Sequence, residues 1–119
     1  MKMGPQSDLA LLDHIRARIA RIDDYTNRER SKFHGSHLVQ DAVVRNLQTI
    51  AESAQRRSDG LRETEPDTPW RAIAGFRNVL VHDYFDIDLE VVWSVVDKDL
   101  PKLVAAVDRM TQVARTRRP

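Results

Sequence analysis

An arginine, an asparagine, a histidine and a tyrosine fall within eight residues in "RNVLVHDY", residues 77–84. The rest of that stretch is valine, leucine and one aspartate. Valine and leucine ask for burial, while Arg77, Asn78 and His82 ask for partners that satisfy charge and hydrogen bonds. Such residues either brace an interface or do chemistry at one. At about 100° per residue, Arg77 and His82 stand about 140° apart on an ideal helix. Asn78 and His82, four apart, share a face, and Arg77 and Tyr84, seven apart, fall within about 20° of each other. A site that uses both Arg77 and His82 therefore needs the helix end to unwind near His82. Alternatively, a second copy of the helix faces the first across a twofold axis and supplies two arginines and two histidines to one groove.

That inventory suits RNA cleavage by internal attack. A 2′-hydroxyl must lose a proton, the phosphorane gains negative charge, and the 5′-oxygen must be protonated as it leaves. Histidine, with an ordinary pKa near 6.5, serves as base or acid around neutral pH. One imidazole cannot be both in a single step, but two imidazoles in a dimer can divide the work. Arg77 would hold the phosphate through its planar fork and stabilise the charge that grows in the transition state. No metal is required. Spacing alone leaves the structural alternative open, in which Arg77 bonds carbonyls and His82 is satisfied at an interface.

The chain of 119 residues is expected to form one domain, 1–119, with its core over about 8–112 and a basic tail at 113–119. It has no cysteine, which excludes disulfides and thiolate metal sites and is compatible with a reducing compartment. No apolar run approaches the roughly 18 residues of a membrane span, and the first residues lack the unbroken apolar core of a signal peptide. The expectation is a soluble, cytoplasmic protein. Nineteen basic against 18 acidic residues give a net charge of +1, so this is no general polyanion binder and any nucleic-acid contact must come from local charge. Arg56–Arg57 and the tail arginines Arg115, Arg117 and Arg118 are candidates, against the plainer reading of a solvated helix end and a frayed terminus.

The elements that would position the motif are helical. Leu9, Leu12, Ile15, Ile19, Ile22 and Tyr25 recur at steps of three or four, with Asp8 placed to cap the helix they define. "NRERSKFHGSH" (27–37) has little apolar periodicity and reads as a connector. Val39, Val43, Leu47, Ile50 and Ala54 define a second helix to about Arg57, and "SDGLRETEPDTPW" reads as a loop. Thr68-Pro69 offers a start for a third helix to about Tyr84, burying Ile73, Phe76 and Leu80. Asp88 can cap a fourth, with Leu89, Val92, Trp93, Val96, Leu100, Leu103, Val107 and Met110 in one stripe and Val91 and Val95 beside it. Pro101 lies inside that pattern and should kink or split the helix near Lys98–Leu100. The predicted fold is an all-α bundle of four helices, five if the last is split. So wide a last stripe needs two packing partners, one of which a second chain could supply.

The chain resembles the HepT-like toxins of the HEPN superfamily, small all-α ribonucleases of prokaryotic toxin–antitoxin pairs. The resemblance covers roughly residues 8–112. Its superfamily mark, Arg followed after four to six residues by His, is matched by "RNVLVH", and the HepT extension His-x-Tyr by "HDY". "DAVVRNLQTIAESA", "PWRAIAGFRNVLVHDYFDIDLEVVW" and "DLP" are similar to the family's surrounding text. The resemblance implies a HEPN-type bundle forming a homodimer, with Arg77 and His82 catalytic, Asn78 supporting them at the RNA, and neither metal nor other cofactor. It implies a type VII system in which an MNT-type minimal nucleotidyltransferase, the antitoxin, transfers AMP to Tyr84. Adenylates there would add negative charge and bulk where an RNA phosphate must sit. The competing implication is a non-catalytic module that presents Tyr84 to the nucleotidyltransferase.

Other polar residues carry weaker signals. His14, His34 and His37 read as surface residues rather than ligands, since no acidic partner or register accompanies them. On the second helix Asp41, Arg45 and Glu52 share a face and read as an ion-pair ladder. The sharper reading of Arg45, Asn46 and Glu52 sets them behind Arg77 or His82. Trp70 and Trp93 read as core or interface aromatics. Aromatic residues make up 6% of the chain, too few for a stacking platform.

Overall fold

The computed structural model describes residues 5–56 and 87–116. Every described element is helical, and the fold is all-α. α1 runs Pro5–Thr26, α2 Arg30–His34, α3 His37–Ala54, and α4 Leu89–Ser94; a π-helical turn over Val95–Asp99 leads directly into α5, Leu100–Thr116. α1 packs against both α3 and α5. Arg18 of α1 meets Asn46 of α3, and Gln40, near the start of α3, donates to the carbonyl of His34, past the end of α1, so the two helices run antiparallel. Arg16 meets Asp108 at 3.4 Å and Arg30 meets Glu90, which sets α4–α5 antiparallel to α1 as well.

The apolar stripes fall where periodicity places them. Leu12, Ile15, Ile19 and Ile22 of α1, Val43, Leu47 and Ile50 of α3, and Val92, Val96, Leu100, Leu103, Val107 and Met110 of the last helices are all buried in one cluster. Each fully buried aliphatic side chain contributes about 1.5–3 kcal/mol relative to exposure. Two expectations for α1 are corrected. Tyr25 is 39% exposed, and Thr26 is buried in its place, its hydroxyl donating to Ile22 O at 2.9 Å. Asp8 is no cap: the helix is already formed at Pro5, and Asp8 sits buried in its first turn.

A third correction concerns the connector. Residues 30–34 form α2, and Phe33 is fully buried. Its ring stacks on Trp93 of α4, with centroids 5.7 Å apart. A five-residue helix cannot hold itself in water, so Phe33 is what fastens α2. α1 ends in a left-handed pair, Asn27 (φ 49°) and Arg28 (φ 58°). Asparagine tolerates that region, whereas arginine pays for it, helped here by its N–H donating to Thr26 Oγ1 at 3.2 Å.

Asp88 caps α4 as expected. Its Oδ1 accepts from the backbone N–H groups of Glu90 (3.0 Å) and Val91 (3.4 Å). Replacing Asp88 by alanine should cost about 1 kcal/mol, read as a lower urea midpoint with an unchanged slope. The last helix does not split at Pro101. Leu100 N–H reaches back to Val95 O, an i→i−5 bond, so the turn before the proline widens instead. Proline offers no N–H and its ring crowds the carbonyl four residues back; the wide turn accommodates both while the chain stays helical. Val91 is 44% exposed, and Val95 is half-buried against the core. α5 continues to Thr116, with Ala114 fully buried. Among the described residues no helix is long and apolar enough to cross a membrane.

Candidate functional site

Arg77, Asn78, His82 and Tyr84 lie outside the described residues, as do Trp70, Arg57 and the third predicted helix. What the structure describes is the frame on either side. The chain leaves that frame after α3, whose last turn lies beside the start of α1. It re-enters at Ile87 and Asp88, beside the end of α1. Ile87 packs partly buried against the core, and the Asp88 cap fixes the direction in which α4 departs. Tyr84 is thus four residues from a side chain with a defined role.

Around that point of re-entry lies a charged cluster the sequence does not announce. Glu90, in the first turn of α4, is approached by two residues of α2, Arg30 and His34. His34 Nε2 lies 3.4 Å from Glu90 Oε1, near enough for an ion pair when the ring is protonated. The alignment is too poor for a hydrogen bond, so this buried nitrogen has no hydrogen-bond partner. His34 also sets its ring edge-on to Phe33 at 5.1 Å, and is half-buried. His14 and His37 are exposed, and the described residues contain no group of three histidines and carboxylates arranged to hold a metal ion.

On α3 the expected ladder does not form at its first rung: Asp41 and Arg45 are both exposed and make no ion pair with each other. Asn46 is instead the polar residue turned inward, 5% exposed. Its amide nitrogen donates to Ala42 O at 2.8 Å, and its Oδ1 accepts from Arg18 Nη1 at 3.4 Å. A buried amide satisfied on both ends ties α1 to α3 at a fixed height. The apolar period of α3 gave a hint, since Asn46 lies between Val43 and Leu47 on the buried side. For Phe33 the sequence held no such signal.

The described frame is that of a small all-helical protein, and the Arg-Asn-x3-His-x-Tyr run lies in the stretch between its two parts. The chain belongs to the HepT-like ribonuclease family, whose profile matches residues 15–110 and so spans the whole motif. It is 38% identical over 93 residues to a Methanocaldococcus jannaschii protein named "Gamma-glutamylcyclotransferase and putative RNase", covering 77% of this chain and 42% of that one. A second protein of that organism, named "Putative RNase", is 35% identical over 66% of this chain and 72% of its own. A Thermococcus cleftensis protein named "Probable ribonuclease HepT" is 34% identical over 60% of this chain and 64% of its own. The chain thus spans less than half of the first relative and about two thirds of the other two. No solved structure matches it.

Proposed function

We propose that this chain is a metal-independent endoribonuclease, the toxin of a type VII toxin–antitoxin pair, working from a composite cleft in a homodimer. The observation that carries this reading is that "RNVLVHDY" stands inside the stretch matched by a family of HepT-like ribonucleases. The printed names of the three relatives, each of which includes "putative RNase" or "probable ribonuclease", support the same reaction class. In the cleft His82 of one protomer takes the proton of the 2′-hydroxyl, and the 2′-oxygen bonds to phosphorus. The 5′-oxygen leaves with a proton from the second His82, giving a 2′,3′-cyclic phosphate and a 5′-hydroxyl. Arg77 carries the charge of the phosphorane, and Asn78, on the face of His82, holds RNA or the ring.

Tyr84 is the regulated position. A nucleotidyltransferase antitoxin joins AMP to its phenolic oxygen, releasing pyrophosphate from ATP. The adenylate then places charge and bulk where the scissile phosphate must enter. The test is expression in growing cells. The wild type arrests growth and leaves cleaved RNA on a gel, and the antitoxin relieves the arrest. Tyr84→Phe, which lacks the acceptor oxygen, arrests growth with or without the antitoxin. Intact RNA and unimpaired growth with the wild type would instead make this chain a non-catalytic partner of the nucleotidyltransferase. Relief of Tyr84→Phe by the antitoxin would remove Tyr84 from the switch.

A further inference from the structure

We propose that the ridge His14–Arg18–Arg21–Tyr25 on α1, with Arg45 on α3, binds the phosphate backbone of the RNA, giving the substrate a second hold outside the catalytic motif. This rests on the ribonuclease reading above and adds to it the surface along which the substrate lies. The four α1 residues follow one another at steps of four, three and four, so they share one face. The ridge is about 16 Å long. Its side of the molecule is fixed by contacts: Arg18 meets Asn46 of α3, while Arg16, on the other side of α1, meets Asp108 of α5.

Ion pairing separates this ridge from the other arginines nearby. Arg16, Arg28 and Arg30 each meet a carboxylate. Among the described residues, Arg18, Arg21 and Arg45 meet none, although Asp24 stands three residues after Arg21 and Asp41 four before Arg45. Asp13 and Asp24, both exposed, border the ridge on its outer side and confine the positive strip to the α3 side. Arg18 is also held in place. The residue is half-buried, and its guanidinium donates to the buried Asn46, which Ala42 O anchors in turn. A prepositioned guanidinium, with the unpaired Arg21 one turn along the same face and the unpaired Arg45 next in sequence to its anchor Asn46, suits phosphates spaced along a strand. Tyr25, exposed one turn beyond Arg21, offers a face for a single base.

The test uses the full chain carrying His82→Ala, so that RNA is bound without being cut. The affinity for a fluorescein-labelled single-stranded RNA is measured by anisotropy across a range of salt concentrations. Adding Arg21→Gln and Arg45→Gln should weaken binding and flatten the slope of log K against log salt by about 1.4, at about 0.7 per phosphate contact. The double lysine replacement should restore the slope. Arg16→Gln with Arg28→Gln, which removes the same charge from paired positions, should leave it nearly unchanged. Equal slopes in the ridge variant and its parent, with unchanged melting, would overturn the inference, as would equal flattening by the control pair. The two readings fail separately. Cleavage that needs His82 but binding indifferent to Arg21 and Arg45 sinks only the ridge. Ridge-dependent binding by a chain that never cleaves RNA sinks only the ribonuclease.

Discussion

His82→Ala in the purified protein should lower RNA cleavage by about 10²–10⁴-fold, the usual worth of general acid–base help, while leaving the proposed dimer and its melting temperature intact. Arg77→Ala should cost a comparable factor, of order 10²–10³, because in the proposed mechanism it withdraws the charge that meets the phosphorane. Stability is the discriminating measurement. If Arg77 and His82 only brace an interface, their removal leaves buried partners unsatisfied, at about 1–3 kcal/mol each. Melting then falls and the dimer dissociates, so activity disappears only because the assembly does. Gel filtration and thermal melting beside the cleavage assay separate the two cases. Loss of cleavage in well-folded dimers leaves catalysis as the role, and a drop in melting that tracks the loss of cleavage would overturn it.

Phe33→Ala should be the most damaging single change in the described core, at about 3–5 kcal/mol. The ring is fully buried, stacks on Trp93 at 5.7 Å and meets the edge of His34. Without it α2 has no apolar anchor, and Arg30 and His34, which ride on α2, lose their approach to Glu90. Total stability for a domain of this kind is about 5–15 kcal/mol, so the loss amounts to about a fifth of it or more. A urea titration reads it directly. Leu38→Ala is the control: that side chain is 79% exposed and should change stability by less than about 0.5 kcal/mol. A Phe33→Ala protein as stable as the control would show that the ring stack holds nothing.

The long helices were legible because their stripes repeat over four or more turns, and Asp88 because a cap acts on its own next few residues. What escaped the sequence was set by contacts far along the chain. Phe33 is the single large apolar residue in "NRERSKFHGSH", and one residue has no period; its burial is decided by Trp93, sixty residues later. Tyr25 and Thr26 competed for one place in the stripe. Burial went to Thr26, whose short side chain satisfies its hydroxyl within its own helix, while Tyr25 would have to bury a phenol. For the motif itself the balance is reversed. Arg77, Asn78, His82 and Tyr84 are legible as a motif in the chain, and the described frame adds where that stretch rejoins the bundle.

The wide turn at Val95–Asp99 also bears on how this chain can change in length. Such a turn takes one residue more than an α-helical turn. Deleting a residue there would make the helix locally more ideal. It would leave everything after it facing much as before, because the turn spends its extra residue on about the rotation of one ordinary helical turn, so Leu103, Val107 and Met110 would stay in the core. The apolar stripe that looks continuous in the sequence serves two neighbours, α2 before the turn and α1 after it. Elsewhere in this helix a deletion finds no such surplus residue, and it would swing the segment after it by about 100° and part it from one of the two neighbours.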